Sequence, residues 1–385
     1  MIKRVLTATA IAVIVLSLGV LERAAGLPIE GFPDKEPDGG PATGAEPTPA
    51  PTPGALIIVA AGDSYASGEG AADHTSLLPD ASWGGTNNDG GAVRCHRSTL
   101  AGAANAATRL TAFGPVGFFN FACSGSTTGS ISGQLGTITT QLGRLGLGDT
   151  SAPIDALVIS IGGNDIGFAG IVATCMAPGF TCDGSGLSTS LAALPSSLDS
   201  AFGLVNGGSA GTVRHVFVTA YPDPTTGPFG LPCGTPITPA FEGFEGIDAS
   251  EALWASASVV APLNAALSAA VGRANAAPGT HPRWHFVSAI ESSFHTHGYC
   301  AGGGSPVLDW WPHPRYVNTV VDSLTGQGDV MGAMHPNNQG YSEIGAILAS
   351  TIVSALTSVP APTPATKDGP VEKVCRWKLW LDSCE

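Results

Sequence analysis

Ser64 stands in the tetrapeptide Gly62-Asp63-Ser64-Tyr65, directly after the apolar run Ala55-Leu56-Ile57-Ile58-Val59-Ala60-Ala61. A buried strand that ends there presents a hydroxyl where the chain reaches the surface, a placement that suits a nucleophile. A second apolar run leads into Gly162-Gly163-Asn164-Asp165, and His335-Pro336-Asn337 lies near the C-terminal end. A serine hydroxyl becomes a useful nucleophile only when a neutral imidazole accepts its proton, so these blocks together make an esterase-like set.

For residues so far apart to meet, the intervening elements must fold them onto one edge. Short β-type runs recur at Leu56–Ala60, Val116–Phe121, Ala156–Ile161, Val213–Ala220 and His285–Val287, separated by stretches rich in alanine, leucine and serine that suit helices. Continuous apolar strands alternating with helices predict an α/β fold: a three-layer α/β/α sandwich around a parallel sheet, with its ligand crevice at the carboxyl ends of the strands. Ser64 and Asn164 both fall at such ends. The stretch Gly340–Val353 reads as a final amphipathic helix, which places His335 in the loop entering it.

The four blocks Gly62-Asp63-Ser64, Ala122-Cys123-Ser124-Gly125, Gly162-Gly163-Asn164-Asp165 and His335-Pro336-Asn337 resemble, in order and spacing, those of the Ser-Gly-Asn-His (SGNH, or GDSL) hydrolase family. The string Ile161-Gly162-Gly163-Asn164-Asp165-Ile166-Gly167-Phe168 is most similar to secreted, disulfide-bearing actinobacterial esterases and lipases. The resemblance implies Ser64 as nucleophile and His335 as general base, with the Ser64 N–H, the Gly125 N–H and the Asn164 side-chain amide as the oxyanion hole. That family commonly has Asp three residues before the histidine, where this chain has Gly332. Some members orient the histidine through a main-chain carbonyl, so the Gly332 carbonyl is expected in that role, with the Asp329 carboxylate as its rival. The chemistry calls for no cofactor. A lipid or short-chain acyl ester is the expected substrate. The alternatives are O-deacetylation of a polysaccharide and a non-catalytic envelope lipid- or glycan-binding module on the same scaffold.

Composition narrows the partners. With 43% hydrophobic and 12% charged residues the chain can bury a substantial core, and its formal charge of −14 argues against nucleic acid. Met1-Ile2-Lys3-Arg4 followed by an apolar stretch reads as a signal peptide or an uncleaved membrane anchor over residues 1–26, which places the protein outside the cytoplasm, secreted or envelope-associated. A Pro/Gly-rich linker follows over 27–54, then the hydrolase domain over 55–359, expected to act as a monomer, then a Pro-rich spacer and tail over 360–385. Eight cysteines in an exported chain favour disulfides. Proximity pairs Cys175 with Cys182 and Cys375 with Cys384. Cys95–Cys123 and Cys233–Cys300 are the assignment for the remainder, although sequence alone does not fix it.

Other residues have plainer readings. Asp63 and Asp165 are expected to fix loops by accepting backbone N–H bonds rather than to act as a triad acid. Gly207-Gly208-Ser209-Ala210-Gly211 matches a nucleophile elbow in form but precedes a strand instead of following one. His295 and His297, with His313 beyond, lack the carboxylate or cysteine spacing of a zinc site. Trp310 and Trp311 are packing residues or acyl-pocket walls. The apolar tail residues Trp377, Leu379, Trp380 and Leu381 either dock on the body or contact an envelope surface.

Overall fold

The five apolar runs form five parallel strands, β1 (Leu56–Gly62), β2 (Val116–Asn120), β3 (Ile154–Ser160), β4 (Val213–Thr219) and β5 (Arg283–Val287), in the spatial order β2-β1-β3-β4-β5. This computed structural model describes residues 51–71, 95–176, 181–182, 184–235, 247–279, 281–301, 314–327 and 329–358, with the strand backbone at 85–86 and 92–93. The N-terminal segment, most of the linker, Trp310, Trp311, His313 and the tail with Cys375 and Cys384 lie outside the described residues.

Burial explains why the runs read as they do. Every residue of β3 is buried, as is β1 after Leu56, because helices cover both faces of the sheet centre. Alternate residues of β1 serve opposite layers, since strand side chains point alternately up and down. Ile57, Val59 and Ala61 pack with α3 (Ile131–Arg144), α5 (Leu187–Asn206) and α7 (Ala261–Asn275) through Leu135, Ile138, Leu198 and Leu263. Ile58 and Ala60 face α2 (Gly102–Leu110) and α10 (Asn338–Thr357) through Ala103, Ala106, Ile344 and Leu348. The layers are therefore α/β/α. The remaining α-helices among the described residues are α1 (Ser64–Ser67), α4 (Phe168–Met176), α6 (Ala249–Ala255), α8 (Ala289–Ser293) and α9 (Val320–Gly326), and a π-helical segment, Ser256–Val260, joins α6 to α7.

From β1 the chain runs first to β2 on one side and then to β3 on the other, so the strand order reverses beside β1. Helices leaving neighbouring strands in opposite directions open a crevice at their carboxyl ends. Gly62 and Ser160 are paired at this end of β1 and β3. Only glycine fits position 62, where φ is +119° and an added Cβ would lie 1.9 Å from the Ser160 carbonyl oxygen.

Among the described residues, three disulfides tie loops to this frame: Cys95–Cys123, Cys175–Cys182 and Cys233–Cys300.

Candidate active site

Ser64 is the first residue of the single helical turn α1. Asp63 caps that turn, its carboxylate accepting the Tyr65 N–H at 3.1 Å, while the Asp63 N–H donates to the Ser160 carbonyl at 2.8 Å and so extends the β1–β3 pairing. His335 enters from the far end of the chain. Asn337 caps α10 by accepting the Gln339 and Gly340 N–H groups, and Met334 before the histidine takes a left-handed φ of +62°. The Asn318 N–H donates to the His335 carbonyl at 2.8 Å. Tyr65 donates its hydroxyl to the Met334 carbonyl at 2.9 Å and packs its ring 4.7 Å from the imidazole, so the residue after Ser64 also seats the histidine loop.

These supports bring His335 Nε2 to 2.8 Å from Ser64 Oγ. Nδ1 faces the Ala333 carbonyl oxygen at 3.2 Å. A carbonyl only accepts, so the proton belongs on Nδ1 and the Nε2 lone pair is directed at the serine. Burial holds the imidazole pKa below its ordinary 6.5, opposed by the nearby Glu69 charge and the Ala333 bond. The ring is neutral and basic at neutral pH.

The carbonyl that faces Nδ1 is that of Ala333, one residue after the Gly332 carbonyl that was expected there. The Gly332 oxygen is occupied by the His335 main-chain N–H at 3.1 Å, closing the turn that aims the ring at the next carbonyl along. Its rival Asp329 points elsewhere, accepting from Gln327 Nε2 at 2.5 Å and the Met331 N–H at 2.9 Å. Position 332 also has no room for a carboxylate. A Cβ there would lie 2.8 Å from Gln327 Oε1, 2.9 Å from Gly70 Cα and 2.9 Å from Ser323 Oγ.

Gly125 and Asn164 are held on the opposite side of the crevice. The Cys123 N–H donates to the Gly62 carbonyl at 2.9 Å, which brings the 123–126 loop to the end of β1. Asn164 Nδ2 donates one hydrogen to the Ser126 carbonyl at 2.9 Å, and Asp165 accepts both the N–H and the hydroxyl of Thr128, so the two loops are pinned together. Among the described residues, neither the Ser64 N–H nor the Gly125 N–H has a main-chain or side-chain acceptor. Both donors are available to a substrate.

Two groups escaped the sequence reading. Tyr221, just past the end of β4, donates its hydroxyl to Asp63 and accepts the Gly163 N–H at 2.9 Å, joining the serine turn to the asparagine loop. Its place at a strand's carboxyl end was the available signal. Glu69 is buried beneath the site, bonded to His96, Ser124 and Gln327. A charged residue between Gly68 and Gly70 in a chain so poor in charge was a weaker hint.

Ser209, His295 and His297 have partners away from Ser64 and His335. Ser209 lies before the amino end of β4, its carbonyl accepting the Thr139 hydroxyl. His297 pairs with the Pro314 carbonyl at 2.6 Å and stacks on Tyr316, and His295 packs against Gly230.

No protein-family model matches the chain. Over 186 residues, 47% of the chain, it is 33% identical to Lipase 1 of Streptomyces coelicolor, and it spans only 58% of that relative's length. Among solved structures, the extracellular lipase of Streptomyces rimosus superposes with a TM-score of 0.50 at 22% identity, covering 77% of this chain and 99% of that one. Phospholipase A1 of Streptomyces albidoflavus gives 0.49 at 22% identity, over 77% and 98%. In sequence the chain is similar to a Streptomyces lipase, and it shares the α/β fold of the S. rimosus enzyme.

Proposed function

We propose that the chain is an exported serine carboxylic ester hydrolase of the Ser-Gly-Asn-His type. The 2.8 Å contact between His335 Nε2 and Ser64 Oγ carries this reading. As Ser64 Oγ bonds to the ester carbonyl carbon, its proton passes to Nε2 and the carbonyl electron pair moves onto oxygen. That oxyanion is received by the Ser64 and Gly125 N–H groups and by Asn164 Nδ2. Collapse restores the C=O bond, breaks the bond to the alcohol oxygen, and returns the proton from Nε2 to the departing alcohol. Water then gives a proton to His335, attacks the acyl-serine, and releases the acid with Ser64 reprotonated.

The Ala333 carbonyl supplies tautomer and orientation without a triad carboxylate. Because burial lowers the pKa of His335, the rate rises with pH through a value below 6.5 and then levels off. A cleft walled by Phe168, Ile171, Val172, Val259, Val260 and Met334 opens beside the histidine loop, and apolar walls suit an acyl chain better than an acetylated glycan. Similarity to a curated lipase supports the same choice. The disulfides support an extracytoplasmic location.

An active-site fluorophosphonate tests the reaction, and p-nitrophenyl esters of increasing chain length test the substrate. Wild type should label and Ser64→Ala should not, with hydrolysis best on chains longer than acetate. A folded wild-type protein that takes up no label would overturn the reading.

A further inference from the structure

We propose that the buried Glu69 carboxylate is the positioning residue that takes the place of the missing triad acid, supplying negative charge to His335 through space and holding Ser124 and Gln327 on either side of the site. The proposal rests on the esterase reading above. Glu69 belongs to the nucleophile's own turn, its N–H donating to the Ser64 carbonyl at 3.0 Å and its carbonyl accepting the Tyr341 hydroxyl at 2.8 Å. Its side chain points away from solvent. Oε2 accepts from Ser124 Oγ at 2.5 Å and faces His96 Nδ1 at 2.5 Å, while Oε1 accepts from Gln327 Nε2 at 2.5 Å.

Each partner leads back to the chemistry. Ser124 precedes the oxyanion donor Gly125. Gln327 returns its Oε1 to the Gly70 N–H at 3.0 Å and fills the space where a side chain at 332 would stand, so the usual seat of the triad acid is already taken in part by a group bonded to Glu69. An isolated carboxylate so deeply buried would be costly, and these converging partners offset that cost. Burial alone would raise its pKa, but the His96 bond and the charges of His96 and His335 hold it below the usual range, which keeps the charge in place. The titratable groups around the imidazole are Glu69 and His96 behind it, Asp329 4.0 Å beyond His96, Tyr65 against the ring, and Tyr341 and Asp63 behind the serine turn. Of these, Glu69 stabilises the imidazolium and His96 opposes it.

The pH dependence of the fluorophosphonate labelling rate separates a charge effect from a packing effect. Glu69→Gln should lower the apparent pKa by about one unit and the plateau rate about tenfold. Glu69→Asp, which keeps the carboxylate, should hold the apparent pKa near that of wild type. A downward shift in Glu69→Gln with the pKa retained in Glu69→Asp supports the proposal. A Glu69→Gln curve that superposes on wild type, or equal shifts in the two variants, overturns it while leaving the esterase reading intact. No labelling of wild type overturns the esterase reading and this role with it. If circular dichroism shows that Glu69→Gln does not fold, Glu69→Asp decides alone: a retained pKa supports the role and a curve moved down by about a unit overturns it.

Discussion

Two carboxylates flank the serine turn, both 1% exposed, yet they are set to opposite tasks. Asp63 receives the Tyr221 hydroxyl and the Tyr65 N–H, donors that carry no charge. Burial outweighs them and pushes its pKa up to about 7. Glu69 is equally hidden but meets His96, a partner able to become a cation, and its pKa falls below the ordinary value. Burial makes hydrogen bonds obligatory for both; the chemistry of the donor decides which of them keeps a full negative charge at neutral pH. Asp63 serves as a hydrogen-bonding post for the turn, and Glu69 as a source of field.

The sharpest way to break this contrast is Tyr221→Phe, which takes a donor from Asp63 and the acceptor from Gly163 together. Two buried polar groups left short of partners should lower stability by about 3 kcal/mol in chemical denaturation, and a neutral result would mean that Asp63 does not depend on that hydroxyl. The next largest effect is in stability against pH. Because the folded pKa of Asp63 is raised, its contribution is complete below 3.8 and is lost as pH rises through about 7. Glu69 has the opposite sign: its contribution is present above 4.5 and is lost as the solution becomes more acidic. Asp63→Asn should therefore raise the melting temperature by a few degrees at pH 8 while leaving the acid side of the curve intact. The smallest effect belongs to Asp329→Asn, whose carboxylate bonds Gln327 and the Met331 N–H and not the imidazole. Its kcat should stay within about threefold of wild type, and a fall of several orders of magnitude would restore Asp329 as the triad acid.

Much of the frame was legible because parallel strands buried on both faces leave uninterrupted apolar runs, and Leu56–Gly62 and Ile154–Ser160 are such runs. Their carboxyl ends then located Ser64 and Asn164 without any knowledge of contacts. The carbonyl facing Nδ1 lies one residue beyond the expected Gly332 for a physical reason. Every residue has a carbonyl, so which one meets Nδ1 depends on backbone torsions such as the positive φ of Met334 and leaves no mark in residue type. Glu69 was visible as a charge, but its partners His96, Ser124 and Gln327 lie 27, 55 and 258 positions away, distances over which no local period can speak.

The Cys95–Cys123 bridge has a consequence beyond tethering a loop. His96 follows one half-cystine and Ser124 follows the other, so a single covalent link delivers two of the groups that grip Glu69, and the Ser124 N–H adds a bond to the Cys95 carbonyl at 3.1 Å. A reductant that opens this link frees both at once. The grip on Glu69 is thereby tied to thiol oxidation, and a chain still in a reducing compartment would carry Ser64 and His335 without that grip beneath them.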